Sequence, residues 1–136
     1  MKGMLSQIQQ WVDGSQITKD ALFDGISTDT RKLKAGSLFV ALKGEHFDAH
    51  DFLPALVDQG IAAVVAEHLP KAYPLPALIV PDTRIAIGQI AKGWRKLFNI
   101  PVVGVTGSNG KTTTKEMIAS ILRGAFQDDV LVTTGN

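Results

Sequence analysis

Apolar residues near the start of the chain recur at helical spacing. Met4, Leu5, Ile8, Trp11 and Val12 fall at i, i+1, i+4, i+7 and i+8, the stripe of a short amphipathic helix that Asp13-Gly14-Ser15 ends. An irregular stretch leads to Gly25-Ile26-Ser27-Thr28-Asp29-Thr30-Arg31, which predicts a strand running into a polar turn. Ser37 to Leu42 has the composition of a strand, and Lys43 to Asp51 that of a polar loop. Asp51 stands where it can cap a helix striped by Phe52, Leu53, Leu56 and Val57, with Gly60 as its stop. Ile61 to Ala66 and Ala77 to Val80 read as buried strands joined by a proline-rich connection. Strands alternating with helices in this order predict a small mixed α/β domain over residues 1–82.

A longer helix begins at Asp82 or Thr83, with Ile87, Ile90, Ala91, Trp94, Leu97 and Phe98 at helical spacing. Residues 83–100 are expected to connect two domains and to bury this stripe between them. Pro101 ends the helix, because the residue before a proline is driven out of the α region. The β-branched run Val102 to Thr106 predicts a buried strand. A helix follows from Lys111, with Met117, Ile118, Ile121 and Leu122 inward, and Val130 to Thr133 predicts the next strand. Residues 101–136 therefore resemble the first βαβ part of a P-loop ATPase domain. Such a unit buries its strands only when further strands and helices cover the sheet, so the sequence is expected to be a fragment of a longer protein.

Between the last predicted strand and helix lies the chemistry. In Gly107-Ser108-Asn109-Gly110-Lys111-Thr112-Thr113 a glycine turn opens a helix, whose first amides lack intrahelical acceptors and so converge on an anion. Lys111 brings a positive charge suited to β- and γ-phosphate oxygens, which makes it the candidate catalytic residue. The Thr112 hydroxyl follows at the position that ligates Mg2+ carried by a nucleotide. The common G-x-x-x-x-G-K-[ST] pattern wants glycine where Val105 stands, and the neighbouring glycines are Gly104 and Gly107. An ordinary strand–helix turn would explain the glycines, but not the Lys-Thr-Thr beside them.

Composition narrows the alternatives. The chain has 136 residues, and its 14 basic and 13 acidic side chains leave a net charge of +1, so nucleic acid is disfavoured as a main partner. With no cysteine there are no disulfides or thiolate metal sites. The N-terminus lacks the apolar core of a signal peptide, and no apolar run reaches the ~20 residues of a membrane helix. These features lead us to expect a cytoplasmic protein without membrane insertion; they leave its oligomeric state open.

Thr106 to Met117 resembles the ATP loop of the Mur ligases, which carry a short T-G-[ST]-N-G-K-T version of the phosphate loop. The Ser108-Asn109 pair, the Thr114-Lys115-Glu116-Met117 continuation and Thr133-Thr134-Gly135-Asn136 are most similar to the branch that joins D-alanyl-D-alanine to UDP-N-acetylmuramoyl-tripeptide. The resemblance implies an ATP-dependent carboxylate–amine ligase of peptidoglycan synthesis, working through an acyl phosphate with ATP and Mg2+. It further implies a substrate-binding first domain, and no ligase activity for these residues alone.

Thr28-Asp29-Thr30-Arg31, Gly36 to Gly44 and Phe47 to Phe52 are similar to segments lining the uridine-nucleotide pocket of that family. The resemblance implies Thr28, Asp29, Thr30, Arg31, Lys43, Gly44 and His50 as substrate-binding residues. Strand-end hydroxyls and backbone amides can pair with a uracil edge, and Arg31 or Lys43 can meet a diphosphate. Ala49 stands where relatives often have glycine, which matters if that backbone needs a positive φ. Asp29 and Arg31 can equally do no more than stabilise a turn. His46 and His50 are four apart, but a loop setting without a third ligand argues against zinc. Other readings are a Mur ligase adding a different amino acid, a folate polyglutamate ligase, a P-loop switch ATPase, and a nucleotide-binding module without catalysis.

Overall fold

The computed structural model describes residues 1–45 and 47–134 and divides into two compact units, Met1–Phe98 and Asn99–Asn136. His46, Gly135 and Asn136 lie outside the described residues.

The first unit is an α/β sandwich around a five-stranded sheet. Its strands are β2 (Gln16–Ile17), β4 (Ile26–Ser27), β5 (Leu38–Val40), β6 (Ala63–Ala66) and β7 (Ala77–Ile79), in spatial order β2-β7-β6-β5-β4. The last four run parallel and β2 pairs antiparallel at the edge, with Phe39 opposite Val64 and Val65 opposite Leu78. A separate hairpin pairs β1 (Lys2–Met4) with β3 (Leu22–Asp24). None of β1 to β3 carries an apolar alternation long enough to announce a strand, so the sequence suggests only irregular chain at β2 and β3 and puts Met4, which ends β1, in the helix that follows it.

Period-two alternation divides the sheet between two cores. Leu38, Val40, Ala63, Val65, Leu78 and Val80 face one side, where Leu5 and Ile8 of α1 (Leu5–Gln9) and Ala86 and Ile90 of α3 (Thr83–Arg95) complete the layer. Phe39, Ala41, Val64, Ala66 and Ala77 face the other, covered by Leu53 and Leu56 of α2 (Leu53–Leu56). All of these side chains except Val80 are at most 1 % exposed. Each large one contributes about 1.5–3 kcal/mol through burial.

Two local expectations change. Asp48, not Asp51, caps the turn ahead of α2: its carboxylate accepts the His50 amide at 3.0 Å, because the chain enters a 3-10 turn at Ala49 before becoming α-helical. In α3, capped by Asp82 on the amides of Arg84 and Ile85, the buried face holds Thr83, Ala86, Ile90 and Gly93, while Ala91 is exposed, as are Leu97 and Phe98 beyond the helix end. Small residues at 86 and 93 let the helix approach closely, and a Cβ on Gly93 would stand 2.2 Å from the Trp11 ring. Helix α3 thus lies within the first unit.

The second unit is built on α4 (Lys111–Phe126), with a 3-10 turn at Gln127–Asp129. Residues 102–106 and 130–133, expected as strands, have no ladder partner among the described residues. β-branched composition favours extended backbone, but a strand also needs a neighbour to bond. Of α4 only Ala119 is buried. Met117 and Ile121, expected inward, are 64 % and 72 % exposed, and Ile118 and Leu122 are half-buried. Among the described residues no helix is long and apolar enough to cross a membrane.

Candidate functional site

In the second unit the glycine loop has the backbone that its sequence requires. Gly107 has φ +153° and Gly110 φ +75°, values that side-chain-bearing residues rarely adopt. Gly110 is the N-cap of α4 and offers no side-chain acceptor, and Thr114 makes the first i→i−4 bond, to the Gly110 carbonyl at 2.9 Å. The helix therefore presents its N-terminal turn, with its positive dipole end, toward the loop. Half-buried Lys111 arches back and donates from Nζ to the Gly107 carbonyl at 2.7 Å, which closes the loop into a ring. One of the ammonium's three donors is spent in that bond.

Lys111 and Lys115 stand one turn apart on α4, on the same face. Lys115 Nζ donates to the Thr133 carbonyl at 2.8 Å and pairs with Glu116 at 3.2 Å. A hollow of about 320 Å³ lies against Gly104, Val105, Lys111, Thr112 and Thr133, and another of about 340 Å³ against Thr112, Arg123 and Thr134. Thr112 borders both, and its hydroxyl is the hard oxygen donor that Mg2+ takes. Among the described residues no group of three His, Asp or Glu side chains is placed to hold a metal. A metal at Thr112 would thus share its coordination with phosphate oxygens, as Mg2+ commonly does.

A second constellation occupies the first unit, where the C-terminal ends of the parallel strands meet, the usual ligand edge of an open α/β sheet. After β4, the Ser27 hydroxyl donates to the Asp29 carbonyl at 3.0 Å and accepts the Asp29 amide at 3.1 Å. The Asp29 carboxylate takes the Arg31 amide at 3.0 Å and the guanidinium at 2.9 Å through both oxygens. The hydrogen bonds from the Arg31 side chain and amide lower the Asp29 pKa from 3.8 to about 2. The turn reading of this pair is therefore realised, while Thr28 and the Arg31 side chain remain exposed beside it.

After β5, exposed Lys43 bridges to Asp48 and approaches its carboxylate at 3.8 Å, and the Gly44 amide donates to the Phe47 carbonyl at 2.7 Å. Ala49 does not have a positive φ and is fully buried, so this loop does not depend on glycine there. His50 is also buried, its side chain 2 % exposed. Its Nδ1 lies 2.5 Å from Asp48 and its Nε2 accepts the Glu67 amide at 2.9 Å, so both ring nitrogens are used within the protein. His50 hydrogen bonds hold the Asp48 pKa below the usual carboxylate value. After β6, the Glu67 carboxylate accepts from the Thr83 amide at 3.1 Å and the Thr83 hydroxyl at 3.2 Å. Asp48, Glu67 and Thr83 are thus parts of this edge that the sequence did not single out. A lone acid directly after the apolar run of β6 was the available signal.

The structure brings Thr28 to Arg31, Lys43, Gly44 and His50 to one sheet edge, and sets Gly107 to Thr113 as a loop running into the first turn of α4. The sequence pattern of the Mur ligase family catalytic domain matches residues 22–95, and that of the Mur ligase middle domain residues 105–136. The UDP-N-acetylmuramoyl-tripeptide–D-alanyl-D-alanine ligase of Haemophilus influenzae is 51 % identical over 113 residues, covering 82 % of this chain and 25 % of that protein. A crystal structure of MurF from Acinetobacter baumannii superimposes with a TM-score of 0.85 at 36 % identity, over 100 % of this chain and 30 % of that one. The MurF ligase of Thermotoga maritima in complex with ADP gives 0.66 at 33 % identity, over 73 % of this chain and 23 % of that one. The chain spans about a quarter of the length of the curated relatives it matches.

Proposed function

The chain belongs to the Mur ligase family, and from that premise we propose that it forms the N-terminal part of an ATP-dependent ligase joining D-alanyl-D-alanine to UDP-N-acetylmuramoyl-tripeptide. Met1–Phe98 would bind the UDP-sugar peptide at its strand-end edge, and the segment from Asn99 would open the ATP-binding domain. The reaction begins when the terminal carboxylate of the tripeptide attacks the γ-phosphorus of ATP, forming an acyl phosphate and releasing ADP. The amine of the dipeptide then attacks the acyl carbon, phosphate leaves, and an amide remains. A carboxylate must here approach a polyanion, so positive charge has to be in place beforehand.

Lys111 supplies that charge from this chain. The observation that carries the reading is its ammonium, held at 2.7 Å by the Gly107 carbonyl over the N-terminus of α4. An entering phosphate can take that ammonium and the loop amides together. Thr112 would hold Mg2+ together with the nucleotide, and the ion would neutralise phosphate charge. At the other edge, Lys43 and Arg31 are the cations available to a diphosphate, with Thr28, Thr30 and the Gly44 backbone as polar partners. Nucleotide-activated substrates and ATP fit a cytoplasmic setting.

A charge-assisted hydrogen bond is worth ~1.5–3 kcal/mol. In the full-length ligase Lys111→Ala is therefore expected to lower turnover at least tenfold, measured as phosphate released in the presence of both substrates. Turnover equal to the native enzyme would remove the role given to the lysine. Residues 1–136 alone are expected to release no phosphate, because they correspond to only about a quarter of the ligases they match.

A further inference from the structure

We infer that His50 is a positioning residue that locks the loops after β5 and β6 into a single nucleotide-binding edge, an inference that rests on the proposed binding of the UDP sugar there. Three observations carry it. The side chain is 2 % exposed and has both nitrogens engaged by the protein itself. Its Nε2 accepts the Glu67 amide and must be unprotonated, so the proton sits on Nδ1 and is donated to Asp48. Its ring also stacks on His68 at 4.4 Å and 11°.

Each partner extends the lock. Asp48, fixed by His50, is the carboxylate that faces Lys43. Glu67, fixed through its amide, turns its carboxylate onto Thr83 at the start of α3. One imidazole thereby couples the loop bearing Lys43 to the loop after β6 and, through Glu67, to the loop after β7. Both nitrogens are needed, one as donor and one as acceptor, and no other neutral side chain offers that pair at this spacing within a flat ring.

Two variants separate the roles. His50→Phe keeps a ring against His68 and removes both nitrogens, whereas His50→Gln returns an oxygen acceptor at about the reach of Nε2. The readouts are amide hydrogen exchange at Glu67 and affinity for uridine diphosphate, with exchange at Val64 and Val65 reporting that the sheet is folded. In the native chain, nitrogen chemical shifts of His50 should show a protonated Nδ1 and a bare Nε2. His50→Phe should speed exchange at Glu67 at least tenfold and weaken uridine diphosphate binding at least tenfold, with Val64 and Val65 still protected. His50→Gln should restore protection at Glu67 to within about threefold of native. The inference is overturned if Glu67 stays protected in His50→Phe, whatever happens to affinity, or if the native ring carries its proton on Nε2. Should the native chain fail to bind uridine diphosphate, the proposed substrate falls, while exchange at Glu67 still decides whether His50 locks the edge.

Discussion

Helix α3 carries two glycines that differ in one respect, and the difference tests how the first unit is packed. A Cβ on Gly93 would lie 2.2, 2.4 and 2.6 Å from three atoms of the Trp11 ring, all well inside the 3.4 Å at which ordinary contact begins. A Cβ on Gly88 would meet nothing within 4 Å. Replacing glycine by alanine inside a helix contributes ~0.8–1 kcal/mol from propensity, and this gain is common to both sites. Gly88→Ala should therefore stabilise by about 1 kcal/mol. Gly93→Ala must in addition push the half-buried indole aside, an overpacking cost of ~1–3 kcal/mol, so its net effect runs from neutral to about 2 kcal/mol destabilising.

The gap between the two variants is the informative quantity. For a unit of this size 1 kcal/mol moves the midpoint by ~4–8 °C, so Gly88→Ala should melt at least 4 °C above Gly93→Ala. Both tryptophans, Trp11 and Trp94, lie within Met1–Phe98, so fluorescence follows this unit alone. Adding Trp11→Ala should bring the two variants together, because it removes the atoms that the new methyl strikes. Equal midpoints with Trp11 intact would refute the close approach of α3 to Trp11, in the turn after α1.

Two titrations follow from the charge environments. Tyr73 is the only tyrosine, and burial pushes its pKa up to about 12. Its phenolate absorbance should appear near that pH. The folded pKa is raised, so the stabilising contribution is complete below about 10 and is lost as pH climbs toward 12; a midpoint near 10 in folded protein would contradict the burial. Asp29 is the opposite case: its folded pKa is depressed, so its contribution is present above 3.8 and disappears as pH falls through about 2. Carboxyl carbon shifts should give that midpoint, and Arg31→Met should return it toward 3.8, whereas an unchanged midpoint would show that Arg31 does not set it.

Much of the first unit can be read from the sequence. Gly60, the apolar run 61–66 and the Asp82 cap each carry their own local signal, and neighbours in space reinforce them. What escapes is decided by partners. The edge strand β2 is two residues long and exists through its pairing with β7. Met117 and Ile121 have the spacing of a buried face, but spacing states only which side favours cover, and in the second unit that side of α4 is exposed. The family resemblance implies His50 as a substrate-binding residue, and nothing local in the sequence shows that its ring is buried and accepts the Glu67 amide, seventeen positions away. The loop at Gly107–Lys111 was the most legible feature, since positive φ, helix start and lysine are all local.

The most direct test is a titration of isotope-labelled chain with Mg·ATP, followed through its backbone amides, which registers even millimolar binding. The amides of Gly107 to Thr113 should shift and saturate together, and Lys111→Ala should abolish the response while leaving the sheet of the first unit unperturbed. Saturating shifts confined to other residues, or an unchanged response in Lys111→Ala, would contradict the assignment of this loop as the grip on the triphosphate.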